Sequence, residues 1–217
     1  MIVDERVSCY IKSLTAYNSD FLEKLREKAL EAKVPIIKRE TESFLKTFLL
    51  LKKPKRILEV GAAVAYSSLV MAETLEGNVK ISTIENYEKR VLEARKNIKD
   101  SHYSNIIHLI EEDASKVLKE LVEKEEKYDF IFMDAAKGQY INWLEPVIKL
   151  LNKEGVLCSD NVLQGGDIVQ SRYLIERRDR SIHSRLREYL YELTHREELS
   201  TTILSLGDGV ALTVLKK

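Results

Sequence analysis

Cysteine is scarce in this sequence: Cys9 and Cys158 are the only two in 217 residues. A pair so placed excludes a disulfide framework and a cysteine-built zinc cage, and it suits a reducing cytoplasm. Proline and glycine are also few, at three and eight, which excludes a collagen-like repeat and a low-complexity, disordered chain. An excess of charge is missing as well, with 35 basic and 35 acidic side chains, so any case for a polyanionic partner has to rest on local clustering. Long apolar runs are lacking too. The opening MIVDERVSCYIK carries acids and bases where a secretory signal needs an unbroken apolar stretch, and no later run approaches membrane-spanning length. Neither export nor a membrane partner is expected.

What is present is the pattern of a globular core. Hydrophobic residues make up 44% of the chain, and its length suits one α/β domain over 1–217, read as an N-terminal helical cap (1–53) on a core (54–217). Amphipathic helices are predicted over 19–32, where Phe21, Leu22, Leu25, Ala29 and Leu30 recur at helical spacing, and over 40–51, where Phe44, Leu45, Phe48 and Leu49 share a side. Short apolar runs at 56–60, 79–84, 106–110, 128–133 and 155–159 alternate with helical patterns at 66–75, 88–99, 115–123 and 141–151. Such alternation requires a parallel sheet covered on both faces, because each crossover returns the chain through a helix. After Asp160 come a glycine-bearing loop, a charged helix around 183–195, and runs at 200–205 and 210–215 joined by Gly207-Asp208-Gly209, the turn of an antiparallel hairpin. The expected fold is therefore Rossmann-like α/β: a mostly parallel seven-stranded sheet with a C-terminal antiparallel hairpin and extra N-terminal helices.

Chemistry is expected where the parallel strands end, since ligands of open α/β sheets bind at that edge. The segment RILEVGAAVAYSS puts Glu59 and Gly61 at the end of the first strand, and Ser67 and Ser68 at the start of the next helix, with hydroxyls and free amide donors. The loop lacks the full GxGxxG spacing, so a plain strand–helix turn is the competing reading. Glu85 ends the second strand roughly twenty residues on, where an acid commonly accepts hydrogen bonds from the ribose hydroxyls of an adenosine-containing cofactor; it could equally cap the next helix. Asp113 and Ala114 end the third strand and could border an adenine, with helix capping by Asp113 as the bland alternative.

The fourth strand ends in Asp134 and the fifth in Asp160 and Asn161. If these strands are neighbours, two carboxylates and an amide oxygen meet at one rim, a donor set for magnesium or another oxygen-preferring divalent ion. Helix capping is again the alternative. A cation there would hold vicinal oxygens of a substrate and acidify a bound hydroxyl. Lys137 lies three residues after Asp134, near enough to serve as a base, although lysines in such places are more often simply solvated.

In ILEVGAAVAYSS, IFMDAAKGQY and GVLCSDNVLQGG, in that order, the chain resembles the cation-dependent O-methyltransferases of catechol and caffeoyl-CoA type, from about Val34 to the C-terminus. The resemblance implies the S-adenosylmethionine-dependent methyltransferase fold, a magnesium ion and a homodimer. It marks Ile37, Glu59, Gly61, Ala62 and Ser67 as cofactor contacts, with Glu85, Asp113, Ala114 and Asp134 completing the set. It likewise implies Asp134, Asp160 and Asn161 as metal ligands and Lys137, beside Asp134, as the catalytic lysine. Ala65 departs from the family's pattern, standing where glycine is usual, which puts the tightness of the first loop in question. Within the family, DNVLQGGDIVQSRYLIERRDRSIH looks most like the bacterial tRNA 5-hydroxyuridine methyltransferases, which form 5-methoxyuridine at the anticodon wobble position. Arg172, Arg177, Arg178, Arg180, Arg185 and Arg187 outnumber the acids of that segment, giving a basic rim for phosphates. A splayed base could stack on Tyr140, Trp143 or Tyr173, residues that could equally belong to the core. Two other readings stand beside this one: methylation of a small catechol or phenol, and a nucleotide- or RNA-binding module without turnover.

Overall fold

The computed structural model describes residues 4–216. Its sheet is built from β1 (Arg56–Val60), β2 (Lys80–Ile84), β3 (Ile107–Ile110), β4 (Tyr128–Met133), β5 (Leu151–Asp160), β6 (Leu199–Leu204) and β7 (Val210–Leu215), in the spatial order β3-β2-β1-β4-β5-β7-β6. β1 to β5 run parallel, and β7 pairs antiparallel with both β5 and β6. The mostly parallel seven-stranded sheet with its closing hairpin is thus the expected one. Among the described residues no helix is long and apolar enough to cross a membrane.

The strands alternate between two hydrophobic clusters, one on each face of the sheet. Ile57, Phe130, Phe132, Val156 and Cys158 point to the face covered by α2 (Asp20–Glu31), α3 (Arg39–Lys52), α4 (Tyr66–Thr74) and α5 (Glu88–Asp100). Leu58, Val60, Ile131, Met133 and Leu157 point to the face covered by α6 (Ala114–Glu123), α7 (Tyr140–Leu150) and α8 (Arg180–His195). β1 and β4 contribute to both clusters, as central parallel strands must.

Two elements differ from the sequence-based expectation. α1 (Glu5–Leu14), capped by the Asp4 carboxylate on the Arg6 N–H at 2.8 Å, precedes the helix expected to come first and buries none of its residues. β5 begins at Leu151 rather than Gly155: the Tyr128–Leu151 pair lies beyond a register shift in the β4–β5 ladder. Gly155 is required in that irregular stretch, since a Cβ there would come within 2.6 Å of the Asn152 carbonyl oxygen.

The N-terminal helices are fastened to the sheet through a buried acid. Glu42, on α3, accepts hydrogen bonds from the Tyr66 hydroxyl at 2.7 Å and Asn18 Nδ2 at 2.7 Å, and pairs with Arg39 at 3.0 Å and Arg26 at 3.4 Å. Two cations offset the desolvation of one carboxylate, the condition under which a buried charge is tolerated. Tyr66 opens α4, and Arg26 also donates to the Ile37 carbonyl at 3.0 Å, so this network joins α2, α3 and α4.

Candidate functional site

A crevice of about 1180 Å³ opens at the carboxyl ends of β1, β2, β3, β4 and β5. Its first wall is the loop after β1. Gly61 and Ala62 donate to the Ile84 carbonyl at 3.0 Å each, and the Ala65 N–H returns to the Ala62 carbonyl at 2.7 Å. Gly61 has φ +101°, and a Cβ there would lie 2.2 Å from the Asp134 carbonyl oxygen. The loop after β1 therefore presses directly on the end of β4. Ala63 and Ala65 take left-handed angles, φ 46° and 62°, a conformation that favours glycine. Its cost is backbone strain of a kind that clusters at functional sites.

Glu85 is engaged by backbone donors on both of its oxygens. Its Oε2 accepts the Ala63 N–H at 2.8 Å, and Oε1 accepts the N–H groups of Asn86 at 3.0 Å and Tyr87 at 2.9 Å. A carboxylate offers about four acceptor sites, so capping leaves room for a hydroxyl ligand. Asp113 is the N-cap of α6, accepting the Ser115 N–H at 2.9 Å, and it still lines the crevice next to Ala114. Trp143 forms wall behind them, its Nε1 donating to Ser115 Oγ at 2.9 Å.

Ile37, Ser67 and Ala62 also line the crevice; Glu59 is the expected contact that does not. It is 0% exposed, and its Oε2 accepts from Ser68 and Thr83 while Oε1 finds no partner among the described residues. β1 is covered on both faces, so a strand-end acid need not turn outward. Burial pushes the Glu59 carboxyl up to about 7, against the opposing effect of the serine and threonine hydroxyls. A folded-state value above the ordinary one near 4.5 means that the folded chain keeps a proton the unfolded chain releases. The metal-free protein is therefore expected to lose stability as pH rises from about 4.5 to about 7. Urea unfolding in chelator at pH 5.5 and 7.5 checks this: the loss should be smaller in Glu59→Gln, and an unchanged difference would remove Glu59 as a cause.

Asp134 and Asp160 occupy the ends of the neighbouring strands β4 and β5, where Met133 pairs with Ser159 in parallel register. Asp134 Oδ1 accepts from Lys137 Nζ at 2.7 Å. Asp160 is 3% exposed, and its Oδ1 lacks a hydrogen-bond partner among the described residues. Burial, then the charge of Asp134, pushes the Asp160 carboxyl up to about 7. Among the described residues no three His, Cys, Asp or Glu side chains form a metal cluster; Asn161, the third oxygen donor of the expected set, lines the same crevice. An orphaned buried carboxylate oxygen beside a second carboxylate and an amide fits a hard divalent cation, which would satisfy the oxygen and offset the repulsion.

Two residues take places at this site other than those their sequence positions suggested. Tyr140, a candidate stacking ring, is fully buried and works from behind the rim. Its hydroxyl lies 2.9 Å from the Met133 carbonyl oxygen and 3.2 Å from that of Asp160, and it accepts from Lys137 Nζ at 3.2 Å and the Ala135 N–H at 3.3 Å. Burial raises its pKa well above the ordinary value, so it remains a donor. Asp208, in the β6–β7 turn, bonds Asn161 Nδ2 at 3.3 Å and Lys38 Nζ at 2.7 Å. The signal for Tyr140 was its place three residues after Lys137; for Asp208 only a turn pattern was visible.

The arginine-rich segment is partly spent on structure. Arg180 donates to the Ile175 and Tyr173 carbonyls, Arg185 to Gly138 and Arg187 to Ile168, while Arg178 pairs with Glu176 and Asp179. Arg172 and Arg177 are exposed. Of the three candidate stacking rings, only Tyr173 is open to solvent, at 85%; Trp143 is 6% exposed.

Known proteins resemble the chain in sequence and in fold. The O-methyltransferase family pattern matches residues 12–217. A catechol O-methyltransferase from Niastella koreensis is 30% identical over 168 residues, covering 76% of each chain. A flavonoid 3',5'-methyltransferase from Vitis vinifera is 30% identical over 224 residues, covering 96% of this chain and 93% of its own. The SAH-bound Podospora anserina methyltransferase PaMTH1 superposes with a TM-score of 0.87 at 26% identity, over 98% of this chain and 95% of its own. The chain belongs to the O-methyltransferase family of caffeoyl-CoA and catechol type, enzymes that draw their methyl group from S-adenosylmethionine.

Proposed function

We propose that this enzyme methylates one hydroxyl of a vicinal oxygen pair in a magnesium-dependent reaction, and that its acceptor is 5-hydroxyuridine at the tRNA wobble position, giving 5-methoxyuridine. The observation that carries the chemistry is that Asp134, Asp160, Asn161 and Lys137 line the same crevice as Gly61, Glu85 and Asp113. Gly61, Ala62, Ser67 and Ile37 would enclose the methionine portion of S-adenosylmethionine, and Glu85, Asp113 and Ala114 its adenosine. Asp134, Asp160 and Asn161 would hold the cation. When bound, it supplies the charge that orients the two acceptor oxygens and acidifies one. Lys137, held by Asp134 and the Tyr140 hydroxyl, would take the hydroxyl proton in its neutral amine form; the oxygen would then bond to the methyl carbon as the carbon–sulfur bond breaks and S-adenosylhomocysteine leaves.

The tRNA reading is supported by exposed Arg172, Arg177 and Tyr173 in the segment that follows the metal loop, and by Arg185, which reaches the Gly138 carbonyl one residue from Lys137. Phosphate contact and one open ring suit a nucleotide presented from a loop. A small catechol or phenol is the second reading, favoured by the names of the catechol and flavonoid methyltransferase relatives. Homodimerisation is proposed from the family resemblance; Val7, Tyr10, Ile11 and Leu14 form an exposed apolar stripe on α1 that suits it.

Incubation with labelled S-adenosylmethionine, magnesium, and either tRNA lacking the methoxy mark or a catechol panel separates the two acceptors. Label is expected in tRNA, with binding that weakens steeply with salt because phosphate contacts release counterions. Label confined to the phenols, or salt-independent tRNA binding, overturns the tRNA assignment.

A further inference from the structure

We propose that Asp208, with Lys38, is a positioning residue that turns the Asn161 amide so that its oxygen faces the cation site. The inference rests on the metal role proposed above for Asp134, Asp160 and Asn161, and adds a residue that does not touch the ion.

Asn161 stands in the left-handed region, φ 58°, at the end of β5. Its amide could rotate to present either oxygen or nitrogen to the crevice, and only the oxygen can bind a cation. Asp208 removes the choice. Its Oδ2 lies 3.3 Å from Asn161 Nδ2, and an ionised carboxylate only accepts, so the NH2 group faces the turn and Oδ1, on the other arm of the amide, is left for the crevice. The turn that carries Asp208 is itself locked onto the metal loop. Val162 donates to the Gly209 carbonyl and Leu163 to the Asp208 carbonyl, each at 3.0 Å. A Cβ on Gly209 would meet Leu163 Cγ at 2.4 Å, so the two backbones approach as closely as glycine permits.

Lys38 completes the arrangement. Its ammonium donates to Asp208 Oδ1 at 2.7 Å, engaging the oxygen that would otherwise be free to compete for the cation. Lys38 is the N-cap residue of α3 and follows Ile37 on the crevice wall. One carboxylate thereby links the N-terminal segment, the metal loop and the final hairpin.

The test is Mn2+ titration of the full chain by electron paramagnetic resonance, with saturating S-adenosylhomocysteine, on the unsubstituted protein, Asp208→Ala, Asp208→Asn, Asn161→Ala and the Asp208→Ala/Asn161→Ala double variant. Asp208 lies outside the left-handed region, so alanine fits the turn, and thermal midpoints check that it folds. Asp208→Ala should weaken Mn2+ binding by about 10–100-fold, the usual effect of losing a residue that orients a ligand. Asp208→Asn still accepts from Asn161 through its amide oxygen and should bind close to the unsubstituted protein. In the Asn161→Ala background, Asp208→Ala should cause no further loss. Equal losses in both backgrounds, or equal losses for Asn and Ala at 208, overturn the positioning role and leave only a charge effect. Absence of Mn2+ binding by the unsubstituted protein removes the metal role itself, and this inference with it.

Discussion

Asp160→Asn is expected to lower methyl transfer by about 10²–10³-fold, the usual cost of removing one preorganised electrostatic group from a site, while making the metal-free protein more stable. The two effects have one origin. Asp160 is buried beside Asp134 with an oxygen that nothing in the described chain satisfies, so in the absence of a cation its negative charge opposes folding. An amide of the same shape removes that charge. Relief of about 1 kcal/mol raises Tm by about 2–4 °C in a domain of this size. Thermal melts at pH 8 in chelator should show the gain, and added magnesium should stabilise the native chain but not the variant. A variant that loses both activity and stability would mean that Asp160 serves the fold and not a ligand.

Gly61→Ala should remove cofactor binding by a steric route. The added Cβ would meet three backbone atoms, the Asp134 oxygen at 2.2 Å, the Asp134 carbon at 2.9 Å and Ala135 Cα at 3.1 Å, none of which can rotate aside. The backbone angle adds about 1–2 kcal/mol of left-handed strain, and overpacking about 1–3 kcal/mol. Relief requires the loop after β1 to lift away from β4, which separates the cofactor wall from the residue it shares with the metal rim. If that free energy comes out of binding, affinity for S-adenosylhomocysteine falls at least about 30-fold, since each 1.4 kcal/mol is about tenfold. Isothermal titration calorimetry reads it directly, and native affinity in Gly61→Ala would show that the loop is softer than its geometry indicates.

The sheet was legible in the sequence because periodicity reports burial. β1, β4 and β7 lie at the expected positions, and the Gly207-Asp208-Gly209 turn joins the antiparallel pair. α1 was not, although Val7, Tyr10, Ile11 and Leu14 have helical spacing: the stretch was weighed as a possible leader, and no core claims its apolar side. The site was legible as strand ends, but the direction of a side chain there depends on which faces of a strand are covered. Glu59 therefore points inward to Ser68 and Thr83, whereas Asp134 and Asp160, on strands equally buried, end at the rim. Capping and ligand binding, weighed as alternatives for Glu85 and Asp113, are compatible because a carboxylate has more acceptor sites than a cap consumes. Ala65 shows the reverse limit: composition alone suggested a loosened loop, yet the chain adopts the left-handed turn without glycine. The Tyr140 contact with the Asp160 carbonyl and the Asp208 contacts with Asn161 and Lys38 join residues distant in the sequence, which no local pattern encodes.

The most direct measurement is methyl transfer from labelled S-adenosylmethionine, to hypomodified tRNA and to a catechol, before and after exhaustive treatment with EDTA. Transfer to the acceptor used should vanish in the chelator and return when magnesium is restored in excess. Full activity in the metal-free protein would contradict the assignment of Asp134, Asp160 and Asn161 to a divalent cation.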